Sequence, residues 1–202
     1  MASDVAIRLA TRRDIPAMMA LEARYYVGNL DPSERAKGFI SNLQSQDWFT
    51  WAVDSSGVHV AVTDDDRVVG FIAVTDPPSR SQVGSSPIIE AMLDLAESLE
   101  FNGKPITQQR FALRGPVCID EAARGRGVYS AFNAATQAAY RERFDLGVLF
   151  VAADNPRSLH TTTTKLGAKS LAVFEVNSQQ YHFLAFSFLG PRRPDGGPAP
   201  RM

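Results

Sequence analysis

The stretch that decides the fold is Val117-Cys118-Ile119-Asp120-Glu121-Ala122-Ala123-Arg124-Gly125-Arg126-Gly127-Val128-Tyr129. Its apolar opening closes a strand expected over Phe111 to Ile119. Two glycines and two arginines then form a loop, and helix is expected from about Gly127 to Arg143. A strand feeding a glycine loop and a helix N-terminus is built to capture an anion. Glycine lets backbone come close to a ligand, the first-turn amides of a helix lack intrahelical acceptors, and the helix dipole favours negative charge there. Arg124 and Arg126 add cations suited to phosphate oxygens. Val128, Ala131, Phe132, Ala135 and Ala139 share a face small enough to pack closely on a sheet.

Two common phosphate loops do not fit. A P-loop needs Gly-Lys-Ser/Thr, whereas Gly127 is followed by Val128-Tyr129. A dinucleotide fingerprint needs a third small residue where Ser130 stands, and arginines inside the loop are foreign to it; Asp145 and Asp154 are only loosely placed for its acidic partner.

Working outward, α and β elements alternate along the chain. Val5 to Leu9 reads as a short strand. Thr11 caps a helix with Asp14 three residues on and Pro16 in the first turn. In that helix Ile15, Met18, Met19, Tyr25 and Tyr26 form an inward stripe with Glu22 in its middle. A carboxylate there is costly unless paired or used, and its plainer reading is a half-solvated group at the helix end. Asp31-Pro32-Ser33-Glu34 opens a second helix expected to reach about Leu43. Phe49 to Val53 and Val58 to Thr63 read as strand material, Asp64-Asp65-Asp66 as a solvated hairpin turn rather than a metal loop, and Val68 to Thr75 as an apolar strand.

Residues 76–110 read as an insertion. It holds a polar loop from Ser79 to Ser86 and one amphipathic helix from Ser86-Pro87 to about Leu99, ended by Asn102-Gly103. Gly115-Pro116 inside the next strand implies a bulge or an edge position. Leu146 to Ala152 has the continuous apolar character of a strand buried on both faces. Asn155-Pro156 begins a helix that Gly167 ends, and Leu171 to Val176 with Tyr181 to Phe188 form a hairpin. A tail over 191–202, rich in Pro, Gly and Arg, is expected to be disordered. Residues 1–190 then make a single domain.

Composition narrows the function classes. The 202 residues carry 21 Lys and Arg against 22 Asp and Glu, a formal net charge of -1, so no global field draws the chain to nucleic acid. One cysteine, Cys118, cannot make an intrachain disulfide. No apolar run approaches the roughly 20 residues of a membrane helix, and no secretory signal is visible, so a soluble cytoplasmic monomer or homodimer is expected.

Arg124-Gly125-Arg126-Gly127-Val128 resembles the pyrophosphate-binding signature, Q/R-x-x-G-x-G/A, of the GNAT acetyltransferase superfamily. The resemblance extends over about residues 5–188: Ile7-Arg8 to Asp14-Ile15 matches the family's first strand and helix, Val68 to Ala73 its third strand, and Asn155 to Gly167 its later helix with a Lys-Leu-Gly ending. It implies an α/β (α+β) domain with a mixed, mostly antiparallel central sheet, splayed parallel fourth and fifth strands, and flanking helices. It further implies an acyl-CoA-dependent N-acyltransferase that moves acetyl from acetyl-CoA to a small-molecule amine by direct attack in a ternary complex. The alternatives are a noncatalytic acyl-CoA-binding module and an acyl-CoA decarboxylase on the same fold.

The same resemblance assigns residues. Arg124, Gly125, Arg126, Gly127, Val128 and Tyr129 would hold the pyrophosphate, Val117 and Ile119 would pair with the pantetheine arm, and Asn155 and Ser158 would complete the cofactor site. A backbone amide near Ile119 would polarise the thioester carbonyl. Asp120 is the first candidate for the base that takes the amine proton, Glu22 the second, with His160 and His182 weaker. Tyr25, Tyr26, Asn29 and Phe39 would line the acceptor, and the insertion helix would form a second wall. No metal is implied. The sequence departs from the family in two places. Tyr129 stands where the signature ends on a small residue. Thr162 or Thr163 stands where many relatives carry a tyrosine that protonates the leaving thiolate, so water, Ser158 or Tyr129 would have to substitute.

Overall fold

The computed structural model describes residues 5–79 and 86–189. The expected tail over 191–202 and most of the 79–86 loop lie outside the described residues. Strands β1 (Ala6–Leu9), β2 (Val58–Val62), β3 (Val68–Thr75), β6 (Phe111–Ile119), β7 (Leu146–Ala152), β8 (Lys169–Val176) and β9 (Gln179–Ser187) form a sheet in the order β1-β2-β3-β6-β7-β9-β8. Every neighbouring pair is antiparallel except β6 and β7. These two are the parallel strands that the sequence counted as fourth and fifth. A short hairpin, β4 (Glu100–Phe101) with β5 (Lys104–Pro105), precedes them.

Side-chain alternation divides the core between the two faces of the sheet. On one face Met18 of α1 (Ile15–Arg24) and Phe49 of α3 (Gln46–Asp54) pack on Phe71 and Ala73. On that face too, Met92 and Ala96 of α4 (Pro87–Ser98) meet Leu113, Val148 and Phe183. On the other, α5 (Val128–Tyr140) seats Val128 and Phe132 on Ile72, while Leu159 of α6 (Pro156–Lys165) packs with Leu149, Val151 and Leu184.

Several local expectations are corrected. Phe49 to Val53 is helix, not strand. Ser45 Oγ accepts from the Trp48 amide, so a capped turn opens α3, and Phe49, Ala52 and Val53 recur at helical spacing on its buried face. The aromatic content that suggested a strand serves packing instead. The helix expected to reach Leu43 stops at once: α2 spans only Pro32–Arg35, and the chain turns back so that Tyr26 bridges Ile40. Asn102-Gly103 does not end the insertion helix, which Leu99 caps; both residues have positive φ and form the turn of the β4–β5 hairpin. On α5 the buried stripe is Val128, Phe132, Thr136 and Tyr140, while Ala131 and Ala139 face solvent. On α1 it is Ile15, Met18, Leu21, Glu22 and Tyr25. In both helices a few large groups fix which side turns inward.

Gly115-Pro116 does mark a bulge. Ile72 faces Val117 and Val74 faces Arg114, so β6 uses one residue more than β3 across this interval. It is not an edge position, because β6 lies between β3 and β7. The parallel pairing of β6 with β7 covers only Phe111 to Leu113 against Leu146 to Val148. Beyond that point the two strands separate.

Candidate active site

The opening between β6 and β7 is the head of a cleft of about 780 Å³. Its floor is the unpaired length of β6, Arg114 to Ile119, facing Val148 to Ala152 of β7. One mouth is the glycine loop with the start of α5. The other is lined by Phe39 to Ser45, by Trp48 and Trp51 of α3, and by Ile89 and Met92 of α4. Helix α4 thus lines part of this mouth.

The loop has the form an anion site needs. Gly125 and Gly127 have φ of +77° and +81°, a backbone shape that L side chains rarely adopt, and a Cβ on either would meet open space. Gly127 is the N-cap of α5, and no side chain caps that helix, so its first-turn amides are left for a ligand. Gly125, Gly127, Val128 and Tyr129 line the cleft; Arg126 is exposed and stands outside the lining.

Arg124 lines the cleft as well, but its guanidinium is committed to the protein. Nε donates to the Ile119 carbonyl at 2.9 Å and Nη1 to the Lys37 carbonyl at 2.8 Å, and the group lies 4.7 Å from the centre of the Tyr25 ring. It braces the loop against β6 and the segment after α2, a different task from the direct phosphate contact expected from sequence. Tyr25 completes this brace, since its hydroxyl accepts from the Glu121 amide at 2.7 Å. Asn155 is similarly occupied. Its Nδ2 donates to the Phe39 carbonyl and its Oδ1 caps α6 at the Ser158 amide. Asn155 and Ser158 both border the cleft.

The two carboxylates proposed as base have opposite surroundings. Asp120 Oδ2 accepts from Arg24 at 2.7 Å and Oδ1 from the Ala122 amide at 3.0 Å, so both oxygens are engaged near the surface. Glu22 is 1% exposed, which overturns its half-solvated reading. Oε2 accepts from the Gln44 amide at 2.8 Å, and Oε1 has no hydrogen-bond partner. Burial pushes its pKa up to about 7, against the single stabilising hydrogen bond. Glu22 stands one layer behind the cleft wall, touching it through Gln44. Cys118 donates its thiol to the Leu21 carbonyl at 3.7 Å, and burial pushes that thiol up to about 12.

Of the expected acceptor residues, Tyr25 and Phe39 line the cleft. Tyr26 and Asn29 do not: Tyr26 is tied to Ile40, and Asn29 is exposed with its amide on the Ala23 carbonyl. The chain reverses right after α1, which turns that segment away. Thr161 and Thr162 reach the cleft from α6, while Thr163 donates back to Leu159 within its own helix. His160 is exposed, and His182 contacts Ser170 on the far strand pair. Residues missed from sequence are Gln44, Trp48, Trp51 and Arg114. The Ser45 cap was a readable signal for the aromatic pair; Arg114 carried none.

No protein-family profile and no curated protein matches the sequence. Solved structures do match the fold. An acetyltransferase of the GNAT family from Streptococcus agalactiae superposes with a TM-score of 0.61 at 14% identity, covering 91% of this chain and 95% of that one. This chain has the GNAT fold. The NatC complex bound to Gag peptide and CoA aligns with a TM-score of 0.60 at 12% identity, covering 91% of this chain and 98% of that one. A spermidine N-acetyltransferase SpeG chimera from Vibrio cholerae and hSSAT aligns at 0.55 and 13%, covering 92% and 96%. These proteins match over nearly their whole length. Among the described residues no helix is long and apolar enough to cross a membrane.

Proposed function

We propose that the protein is an acyl-CoA-dependent N-acyltransferase that moves acetyl from acetyl-CoA to a small-molecule amine by direct attack. The observation that carries this reading is the cleft itself. A strand edge without a partner leads from an uncapped helix N-terminus with two left-handed glycines to an aromatic mouth on the opposite face. Those features fit an elongated, phosphate-ended acyl carrier. When bound, it supplies an activated thioester carbonyl.

The chain's own residues divide the remaining work. The loop amides from Gly125 to Tyr129 hold the pyrophosphate, and Arg124 keeps the loop in shape. Backbone groups of Val117 and Ile119 run along the free edge of β6, where an amide can polarise a carbonyl. Tyr25, Phe39, Trp48 and Trp51 form an aromatic wall for the amine. Glu22 takes the amine proton, relayed past Gln44, because a carboxyl near pH 7 both accepts and releases protons readily. Asp120 holds Arg24 and the turn after β6, a supporting position rather than the base.

Calorimetry with acetyl-CoA, followed by thiol release over a panel of small amines and peptides, tests the reading. Micromolar or tighter binding with turnover on small amines is expected. Binding without turnover on any amine would favour a noncatalytic module, and turnover confined to peptides would replace the acceptor class.

A further inference from the structure

At the point where β6 and β7 part, the first β6 residue beyond the last paired one is Arg114. It is 4% exposed, yet among the described residues no carboxylate pairs with it. Nη2 donates to Asn133 Oδ1 at 2.8 Å, and Nε is buried without a hydrogen-bond partner. The guanidinium carbon lies 5.3 Å from the centre of the Tyr129 ring and 5.8 Å from that of Phe186. Aromatic faces ease the burial of a cation without replacing a counter-ion. The chain treats its other buried charges differently. Asp14, also 4% exposed, is held by two nitrogens of Arg8 at 2.8 and 2.9 Å. Glu22 can keep a proton near neutral pH, an escape that a guanidinium lacks. The Tyr129 hydroxyl, beside Arg114, is likewise buried without a hydrogen-bond partner, and both residues border the cleft. Two buried donors at one place match a group that only accepts hydrogen bonds and carries negative charge, and a carboxylate does both.

We propose that Arg114 and Tyr129 bind a carboxylate at the far end of the acyl chain, so that the preferred donor is the coenzyme A thioester of a short dicarboxylic acid. This rests on the acyltransferase reading above and extends its acyl group beyond acetyl, which has nothing for the guanidinium to hold. The order of groups along β6 supports the placement. A carrier with its pyrophosphate on the loop amides passes Ile119 and Val117 first, and its acyl chain continues toward Arg114. Three residues separate Val117 from Arg114, about 10 Å of strand at about 3.3 Å per residue. A four- or five-carbon diacid together with an arginine side chain covers that interval. Arg114 Nε and the Tyr129 hydroxyl each donate to the carboxylate, while Asn133 fixes the guanidinium through Nη2. The carboxylate takes no part in bond making and is carried unchanged into the N-acyl product.

Succinyl-CoA and butyryl-CoA, which have the same number of acyl carbons and differ in the terminal charge, are titrated into the full-length protein by calorimetry beside acetyl-CoA. Wild type is expected to bind succinyl-CoA at least about tenfold more tightly than butyryl-CoA, within the worth of a charge-assisted hydrogen bond. Arg114→Met should reduce that ratio to about twofold or less. Its melting temperature should not fall, because an apolar side chain replaces a buried charge that has no protein counter-ion. Tyr129→Phe, which removes one donor and keeps the ring, should reduce the ratio several-fold, and it tests the site independently if Arg114→Met does not fold. Equal wild-type affinity for succinyl-CoA and butyryl-CoA, with acetyl-CoA still bound, overturns the carboxylate site alone. So does a ratio that neither variant moves, including one in which both affinities fall in proportion. An intact ratio in Arg114→Met, with KM raised only for amines that themselves carry a carboxylate, would overturn it in favour of an acceptor-reading arginine. Wild type that binds none of the three thioesters overturns the acyltransferase reading together with this one.

Discussion

The two mouths of the cleft are built on different principles. The glycine-loop mouth is made of backbone: two left-handed glycines and the unpaired amides of α5, with Arg124 turned inward to brace them. The aromatic mouth is made of side chains brought from α3, α4 and the irregular segment between α2 and α3. Backbone recognition tolerates sequence change as long as the turn survives, whereas a side-chain wall can be re-cut residue by residue. The loop mouth therefore suits a constant ligand, and the aromatic mouth a variable one.

Substitutions can break this division, and the largest effect is expected between the mouths. Glu22→Gln should lower kcat about a hundredfold, as for loss of a general base, with coenzyme affinity unchanged. Its stability signature has a definite sign. Burial raises the folded pKa of Glu22 from 4.5 to about 7, so between these values the folded state keeps a proton that the unfolded state has lost. Stability therefore falls as pH rises through that window and is constant above it, by on the order of 3 kcal/mol in all. Chemical denaturation from pH 4 to 8 should show Glu22→Gln flattening this decline and gaining relative to wild type at the alkaline end.

At the loop mouth, Gly127→Val should weaken coenzyme A binding more than tenfold by calorimetry, since a β-branched residue resists φ of +81°. Amine selectivity should not move. Trp51→Ala should do the reverse, raising the amine KM several-fold in steady-state assays while leaving coenzyme A affinity within about twofold. If either variant altered both ligands equally, the two mouths would not be separable. The smallest effect is expected from Asp120→Asn, which loses only a partly exposed pair with Arg24. Its thermal denaturation should report under about 1 kcal/mol, and its pH–rate profile should match wild type.

How much of this was legible in the sequence follows the same division. The strand–loop–helix from Phe111 onward could be read directly, because glycine conformation and helix capping are local. The buried strand at Leu146 to Ala152 was legible from its apolar run for a similar reason. Phe49 to Val53 was misread because a short aromatic stretch fits a strand as well as a helix until the Ser45 cap is weighed. Tyr26 and Asn29 were misplaced because the reversal after α1 depends on a pairing with Ile40 that no local pattern announces.

The sequence by itself determined most of the order of elements, the irregularity at Gly115-Pro116 and the strand, glycine loop and helix that follow it. Each of these rests on backbone conformation or side-chain period within one segment. Only the tertiary structure decided that Arg124 is spent on carbonyls, that Glu22 lacks a partner for one oxygen, and that Arg114 meets Tyr129 where β6 and β7 part. Burial and pairing depend on what distant segments bring to the same place, and a charged residue in a strand shows its surroundings only once the sheet and its helices have closed around it.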